Sequence, residues 1–73
     1  MKKVLIIDDE NRTRALIAKM IDSFGLDVEA IAEGENVQSG IKAIEKHNPD
    51  IVFLDIQMPD GTGFDVIRSI ENK

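Results

Sequence analysis

Two short apolar runs, each ending in carboxylates, constrain the fold of this chain more than any other feature. Residues 51–54 are all apolar, Asp55 follows them directly, and a loop with Pro59 and Gly61 comes next. A strand that helices cover on both faces is expected to be continuously apolar rather than alternating. Ligands of open α/β sheets bind beyond the carboxyl ends of the strands, so Asp55 is a candidate functional residue. The alternative is an ordinary turn or helix-cap aspartate, because Asp is common in turns.

The other run, residues 4–7, leads into a second acidic group, Asp8-Asp9-Glu10. If the two strands are adjacent and parallel, Asp8, Asp9 and Asp55 meet at one edge of the sheet. Clustered carboxylates repel and raise one another's pKa unless a cation neutralises them. Mg²⁺ prefers hard oxygen ligands and typically takes one or two carboxylates. The residues therefore predict a divalent-metal site around a reactive aspartate.

Length and composition limit the chain to one small domain. It has 73 residues, is 42% hydrophobic and 32% charged, and contains no cysteine. A chain near this length buries only about 60% of its unfolded surface, so its core is marginal. The net charge of −5 disfavours nucleic acid or an anionic membrane as a partner of this segment. Asp8 ends the first apolar run too early for a signal peptide, and we expect a soluble cytoplasmic domain or part of one.

The first half of the chain predicts a helix followed by an edge strand. Asn11 is the expected N-cap of the helix and Gly25 the residue that ends it. The apolar positions at helical spacing predict the buried face of this helix: Leu16, Ile17, Met20, Ile21 and Phe24. Residues 26–32 alternate apolar and acidic side chains until Ile31 breaks the pattern, which predicts a half-exposed edge strand.

Two further helices are expected on either side of the apolar run 51–54. Asn36 is the predicted N-cap of the second helix, which residues 47–49 close. Thr62 and Asp65 resemble a capping box at the start of the third. The predicted buried positions are Val37, Ile41 and Ile44 in the second helix and Phe64, Ile67 and Ile70 in the third. The order βαβαβα predicts an α/β fold with a parallel sheet and helices on both faces.

The chain resembles the receiver domain of bacterial two-component response regulators. The resemblance rests on Asp8-Asp9 after residues 4–7, on Asp55 after residues 51–54, and on the loop Met58-Pro59-Asp60-Gly61. It implies a flavodoxin-like, doubly wound sheet, in which the first and third strands are neighbours. Three of the five strand-helix units of that fold are matched, so the expected sheet order is 2-1-3. Residues 1–73 would form a partial receiver, a fragment without the last two units and their hydroxyl and lysine residues.

The resemblance also implies roles for individual residues. Asp55 would be the phosphoacceptor for a sensor histidine kinase or a small phosphodonor, in a signalling domain that is not an enzyme. Mg²⁺ would be bound by Asp9, Asp55 and the backbone carbonyl of Gln57, with Asp8 acting through a water. Residues 53–65 further resemble regulators whose output is a LytTR-type DNA-binding domain.

Two other functions compete with this hypothesis. A phosphatase of the haloacid dehalogenase type requires a second acid two residues after the nucleophile, where this chain has Gln57. A self-assembling fragment without chemistry is the other alternative. Truncation would leave strand 51–55 as an apolar sheet edge and would expose residues 4–7, which predicts a homo-oligomer formed through that edge.

Overall fold

Strand β1 (Lys2–Ile7) lies at the centre of a three-stranded parallel sheet. The computed structural model of the chain describes residues 1–25 and 27–71. The other elements follow in chain order: α1 (Asn11–Ser23), β2 (Val28–Gly34), α2 (Val37–His47), β3 (Ile51–Leu54), β4 (Gln57–Met58), β5 (Gly61–Thr62) and α3 (Gly63–Glu71). The sheet order is β2-β1-β3, as expected, and β4 pairs with β5 in a small separate hairpin that we did not predict.

Both faces of β1 are buried, which contradicts the prediction that residues 4–7 would be exposed. Each of these four side chains is at most 1% exposed. Leu5 and Ile7 pack with Val37 of α2 and Val66 of α3 on one face. The other two side chains pack with Ile21 of α1 on the opposite face. The three helices present are enough to cover the central strand, because α1 lies on one side of the sheet and α2 and α3 on the other.

β2 is an edge strand, as predicted, and it carries an irregularity where the sequence pattern breaks. Val4 pairs with Ala30, but the next residue of β1, Leu5, pairs with Ala32. Ile31 is therefore the extra residue of a β-bulge. Leu26, the first residue of the predicted strand, lies outside the described residues.

β3 is less buried than a strand covered on both faces should be. Val52 and Leu54 pack against the core of α2 and α3, whereas Ile51 is 39% and Phe53 42% exposed. The exposed pair lies on the α1 side of the sheet, and α1 packs over β1 and β2 instead. Among the described strands β3 pairs with β1 alone, so the predicted open edge is confirmed.

α1 departs from the sequence prediction at its start and on its face. Its N-cap is Glu10 and not Asn11, because the first helical bond runs from the Arg14 N–H to the Glu10 carbonyl. The Asn11 side chain instead accepts a hydrogen bond from the Arg14 guanidinium. Of the predicted apolar face, Ile17 and Ile21 pack against the sheet, and three side chains are exposed: Leu16, Met20 and Phe24. Gly25 follows the helix with a positive φ of 66°, as expected of the residue after a C-cap.

α2 follows the prediction closely. Asn36 caps it in a reciprocal capping box with Ser39, and Asn48 ends it in the left-handed conformation. Val37 is buried, and the other two predicted core positions pack against the same cluster. The helix lies so close to β1 that a Cβ on Gly40 would come within 2.9 Å of the Ile7 side chain.

α3 buries a different face from the predicted one. It begins at Gly63, and the Asp65 carboxylate accepts the Thr62 N–H at 2.8 Å, which is one half of the expected capping box. Val66 is fully buried. The three residues predicted to be buried are each at least 42% exposed: Phe64, Ile67 and Ile70. They line a groove beside β3, which is the last strand on that side of the sheet.

Candidate metal centre at the carboxyl edge of the sheet

The parallel pairing of β1 with β3 brings the two acidic groups together. Ile7 lies opposite Leu54, so Asp8 and Asp55 leave the sheet side by side. The Asp55 N–H donates to the Ile7 carbonyl at 2.9 Å. One carboxylate oxygen from each of Asp8, Asp9 and Asp55 lies within 4.8 Å of the other two. Three side chains that are far apart in sequence thus form one cluster.

The cluster concentrates negative charge without a protein cation on it. Asp8 and Asp55 are half-buried and Asp9 is exposed. One oxygen of Asp8 accepts the Glu10 N–H at 2.9 Å. Within residues 1–25 and 27–71, the carboxylates of Asp9 and Asp55 accept no hydrogen bond and form no ion pair. Hard oxygen donors left free in this way fit a divalent cation of the magnesium type.

The fourth predicted ligand comes from the loop after Asp55. Gln57 begins β4 and pairs with Thr62 of β5, and its side chain is exposed. The hairpin turns the chain back at once, which keeps the Gln57 backbone near the end of β3. Its carbonyl stays a predicted ligand.

Asp60 anchors the same loop to a different helix, a role that the sequence did not reveal. Its carboxylate accepts the N–H of Val37 at 2.8 Å and that of Gln38 at 3.1 Å, at the start of α2. The bond from Val37 is the main reason why the pKa of Asp60 lies below its ordinary value. An aspartate between proline and glycine is typical of any turn, so no local signal points to a helix 23 residues earlier.

Gly63 holds the loop after Asp55 against the end of β3 through a backbone contact. Its N–H donates to the Ile56 carbonyl at 2.8 Å. A Cβ at this position would lie 2.5 Å from the Asp55 carbonyl oxygen and 3.1 Å from the Leu54 side chain. Glycine is therefore required by the close approach of α3 to the residue that carries the central acid.

A sequence-family comparison identifies the chain. Residues 4–73 match the family described as response regulator receiver domain. The chain belongs to the response regulator receiver family. As expected for this family, the acids follow β1 and β3 of an α/β sheet with helices on both faces.

Curated relatives of this receiver include response regulatory proteins. It is 39% identical over 71 residues to an uncharacterized response regulatory protein of Vibrio parahaemolyticus, covering 97% of this chain and 29% of the relative. It is equally similar, at 39% over 71 residues, to the sensory transduction protein LytT of Bacillus anthracis, covering 97% of this chain and 28% of the relative. The second relative agrees with the resemblance to LytTR-type regulators. The chain thus spans less than a third of the length of these relatives.

Solved receiver structures share the fold. The response regulator domain of Thermotoga maritima CheB superposes with a TM-score of 0.92 at 25% identity, covering 100% of this chain and 54% of that one. The response regulator TrrA of Thermotoga maritima, solved in complex with Mg²⁺ and BeF, gives a TM-score of 0.84 at 32% identity, covering 99% of this chain and 60% of that one. Among the described residues, the helices lack the combination of length and apolar character that a membrane span needs.

Proposed function

We propose that Asp55 is the phosphoacceptor of this receiver and that the acidic cluster binds Mg²⁺. The single observation that carries the proposal is the convergence of the Asp8, Asp9 and Asp55 carboxylates within 4.8 Å at the carboxyl edge of the sheet. Asp9 and Asp55 would be direct ligands together with the Gln57 carbonyl, and Asp8 would act through a metal-bound water. Support comes from the family membership and from a relative solved with Mg²⁺ and BeF.

In the proposed reaction a carboxylate oxygen of Asp55 attacks the phosphorus atom of a phosphohistidine. The new O–P bond forms as the N–P bond breaks, and the imidazole leaves with the electron pair. Phosphoryl transfer depends mainly on in-line positioning and on neutralisation of charge. A bound Mg²⁺ would supply that neutralisation. The protein fixes the attacking residue, because the Asp55 N–H is bonded to the Ile7 carbonyl and its own carbonyl lies against Gly63.

We propose a sensor histidine kinase as the phosphodonor of this receiver. Among the similar proteins is hybrid signal transduction histidine kinase L of Dictyostelium discoideum, at 35% identity over 71 residues. We propose a cytoplasmic location, where a kinase has access to ATP. We also propose that residues 1–73 act as a receiver segment whose signal is read by other parts of a regulator, because the chain covers only 29% and 28% of the lengths of the Vibrio parahaemolyticus and Bacillus anthracis relatives.

A Mg²⁺ titration followed by NMR tests the metal site and the phosphoacceptor together. The wild-type chain should show saturable shifts at residues 8–9 and 55–60, with further changes when beryllofluoride is added as a phosphoryl mimic. Asp55→Asn should abolish both responses. Asp22→Asn is the matched control, because it removes the same charge from an exposed position on α1. A folded wild-type chain that shows no shifts at these residues would refute the proposal.

We further propose that this chain self-associates through the open edge of β3. The edge is apolar, with Ile51 and Phe53 about two fifths exposed. Beside it lies a groove of about 400 Å³, whose apolar lining includes Phe64 and Ile67. An uncovered apolar strand is a template for pairing with another chain. A second copy offers a matching strand and side chains to fill the groove, so it is the occupant that we propose.

Sedimentation of the chain at high micromolar concentration tests this association. We expect the wild type to sediment as a dimer or larger species, and Phe53→Lys to sediment as a monomer, because a charge on the strand edge opposes pairing. Phe24→Lys is the matched control, since Phe24 is 57% exposed at the C-cap of α1 and is not part of β3. A wild-type chain that is folded by circular dichroism and remains monomeric would contradict the proposal.

A further inference from the structure

Arg14 is a charged side chain buried beside the acidic cluster. It is only 7% exposed, although it lies on a helix whose neighbouring positions face solvent. A charged residue is rarely buried to this extent unless its donors are fully used. Its surroundings therefore indicate what the side chain does.

The guanidinium joins three separate parts of the chain. Its Nε donates to the Glu33 carboxylate at 2.7 Å, near the end of β2. One terminal nitrogen donates to the backbone carbonyl of Asp8 at 2.6 Å, and the other donates to the Asn11 side chain. The planar fork of arginine presents donors from three separate nitrogens to these acceptors, whereas an ammonium group presents all of its donors from a single atom.

The bond to the Asp8 carbonyl is the one that concerns the metal site. The Asp8 carbonyl and the Asp9 N–H belong to the same planar peptide unit. Fixing that plane fixes the positions of the Cα atoms of Asp8 and Asp9 together. Asp8 is held on its other side as well, because its N–H donates to the Gly34 carbonyl at 2.9 Å. The backbone that carries two of the three acids is thus clamped between β2 and Arg14.

Such a clamp is useful because the cluster is self-repelling before a cation arrives. Three carboxylates within 4.8 Å tend to turn apart, and gathering them again on binding costs free energy. A backbone that is already fixed lowers this free-energy cost of binding. Glu33 offsets the buried positive charge of Arg14, so the guanidinium can reach the loop without standing as an uncompensated cation.

We infer that Arg14 is a positioning residue for the divalent-cation site: by holding the Asp8–Asp9 peptide it keeps both carboxylates directed toward Asp55. The inference rests on the proposed function of the cluster and deepens it. The clamp and simple electrostatics predict opposite changes in cation affinity when the guanidinium is removed. Removing a positive charge near an acidic site should strengthen cation binding by Coulomb's law, whereas removing the clamp should weaken it.

The test is Mg²⁺ affinity measured on the 73-residue chain with and without the guanidinium. Arg14→Met keeps an unbranched side chain of similar length and removes all three bonds. We expect its dissociation constant for Mg²⁺ to rise about tenfold, the lower end of the effect that residues supporting metal ligands usually have. Arg12→Met is the matched control, because Arg12 is exposed on the same helix and carries the same charge. It should bind Mg²⁺ as well as the wild type or slightly better.

A second measurement reports on position without any metal. In the metal-free protein the ¹⁵N order parameter of the Asp9 amide should fall in Arg14→Met and stay unchanged in Arg12→Met. If the methionine variant does not fold, Arg14→Lys serves in its place, since lysine keeps the charge but lacks the planar fork whose three nitrogens make these bonds. Its affinity for Mg²⁺ should still be lower than that of the wild type.

The possible outcomes separate the two proposals. If the wild type binds Mg²⁺ and a folded Arg14 variant binds it equally well, the positioning role is overturned while the proposed metal site stands. If the folded wild type does not bind Mg²⁺ at residues 8, 9 and 55, the proposed function fails and the role of Arg14 fails with it. If Mg²⁺ binding is weaker in the Arg14 variant but not in Arg12→Met, the metal site and the positioning role are both supported.

Discussion

Replacing Gly63 by alanine should disturb the site through one backbone contact. The added Cβ would lie 2.5 Å from the Asp55 carbonyl oxygen, and Cβ atoms in proteins essentially never come within 3.0 Å of such an atom. The backbone of Gly63 does not have a positive φ, so alanine can adopt its conformation. The expected effect therefore comes from the clash alone, which α3 or the end of β3 must relieve by moving at least about half an ångström.

The size of the effect follows from two opposing contributions. Overpacking a tightly packed position costs roughly 1–3 kcal/mol. Alanine is a better helix former than glycine by at most about 1 kcal/mol in a helix interior, and less at the first helical position. We expect Gly63→Ala to lower the free energy of unfolding by about 1–2 kcal/mol. Because Asp55 itself must shift, Mg²⁺ affinity should fall as well.

Urea unfolding followed by circular dichroism measures the first effect and a Mg²⁺ titration the second. Gly25→Ala is a matched control: Gly25 has a φ of 66° and nothing within 4 Å of the added Cβ, far from the acidic cluster. This change should cost about 1 kcal/mol through backbone strain but leave Mg²⁺ binding unaltered. If Gly63→Ala has the stability and the Mg²⁺ affinity of the wild type, the argument from close approach is wrong.

Two further predictions concern stability. The pKa of Asp60 is lowered in the folded chain, chiefly because its carboxylate accepts the Val37 N–H. The ionised carboxylate should therefore stabilise the fold fully at a pH above 3.8, the ordinary pKa of the group. This stabilisation should be lost as the pH falls through the lower pKa of the folded chain. At acid pH the free energy of unfolding should depend less steeply on pH in Asp60→Asn than in the wild type. The dependence that remains has the same sign, because the pKa of Asp65 is also lowered. Equal slopes of the free energy of unfolding against pH in the two proteins would contradict the prediction. Val66→Ala should cost roughly 2 kcal/mol in urea unfolding, because it removes two methyl groups from a fully buried site. Ile67→Ala, at a position that is 42% exposed, should cost clearly less, and equal losses would refute the observed orientation of α3.

The sequence alone determined the order of the three sheet strands and the three helices, and the place of the acids. Apolar runs ending in carboxylates are local patterns, and a parallel sheet with helical crossovers brings such strand ends to one edge. The N-cap of α2 at Asn36 and the end of the helix within residues 47–49 were equally readable, because capping depends on residues within one turn of the helix end. Asp8, Asp9 and Asp55 could be proposed as a cluster for these reasons.

Only the tertiary structure decided which apolar side chains are buried and which polar ones act at a distance. The face of α3 was predicted wrongly and that of α1 only partly correctly, because helical spacing marks an apolar stripe but not where the sheet beneath it ends. At that end Phe53, Phe64 and Ile67 stay exposed while Val66 is fully buried. Asp60 bonds to Val37 and Arg14 to Glu33 across gaps of 23 and 19 residues. Such bonds leave no periodic trace in the sequence, since they depend on how strands and helices pack and not on their own patterns.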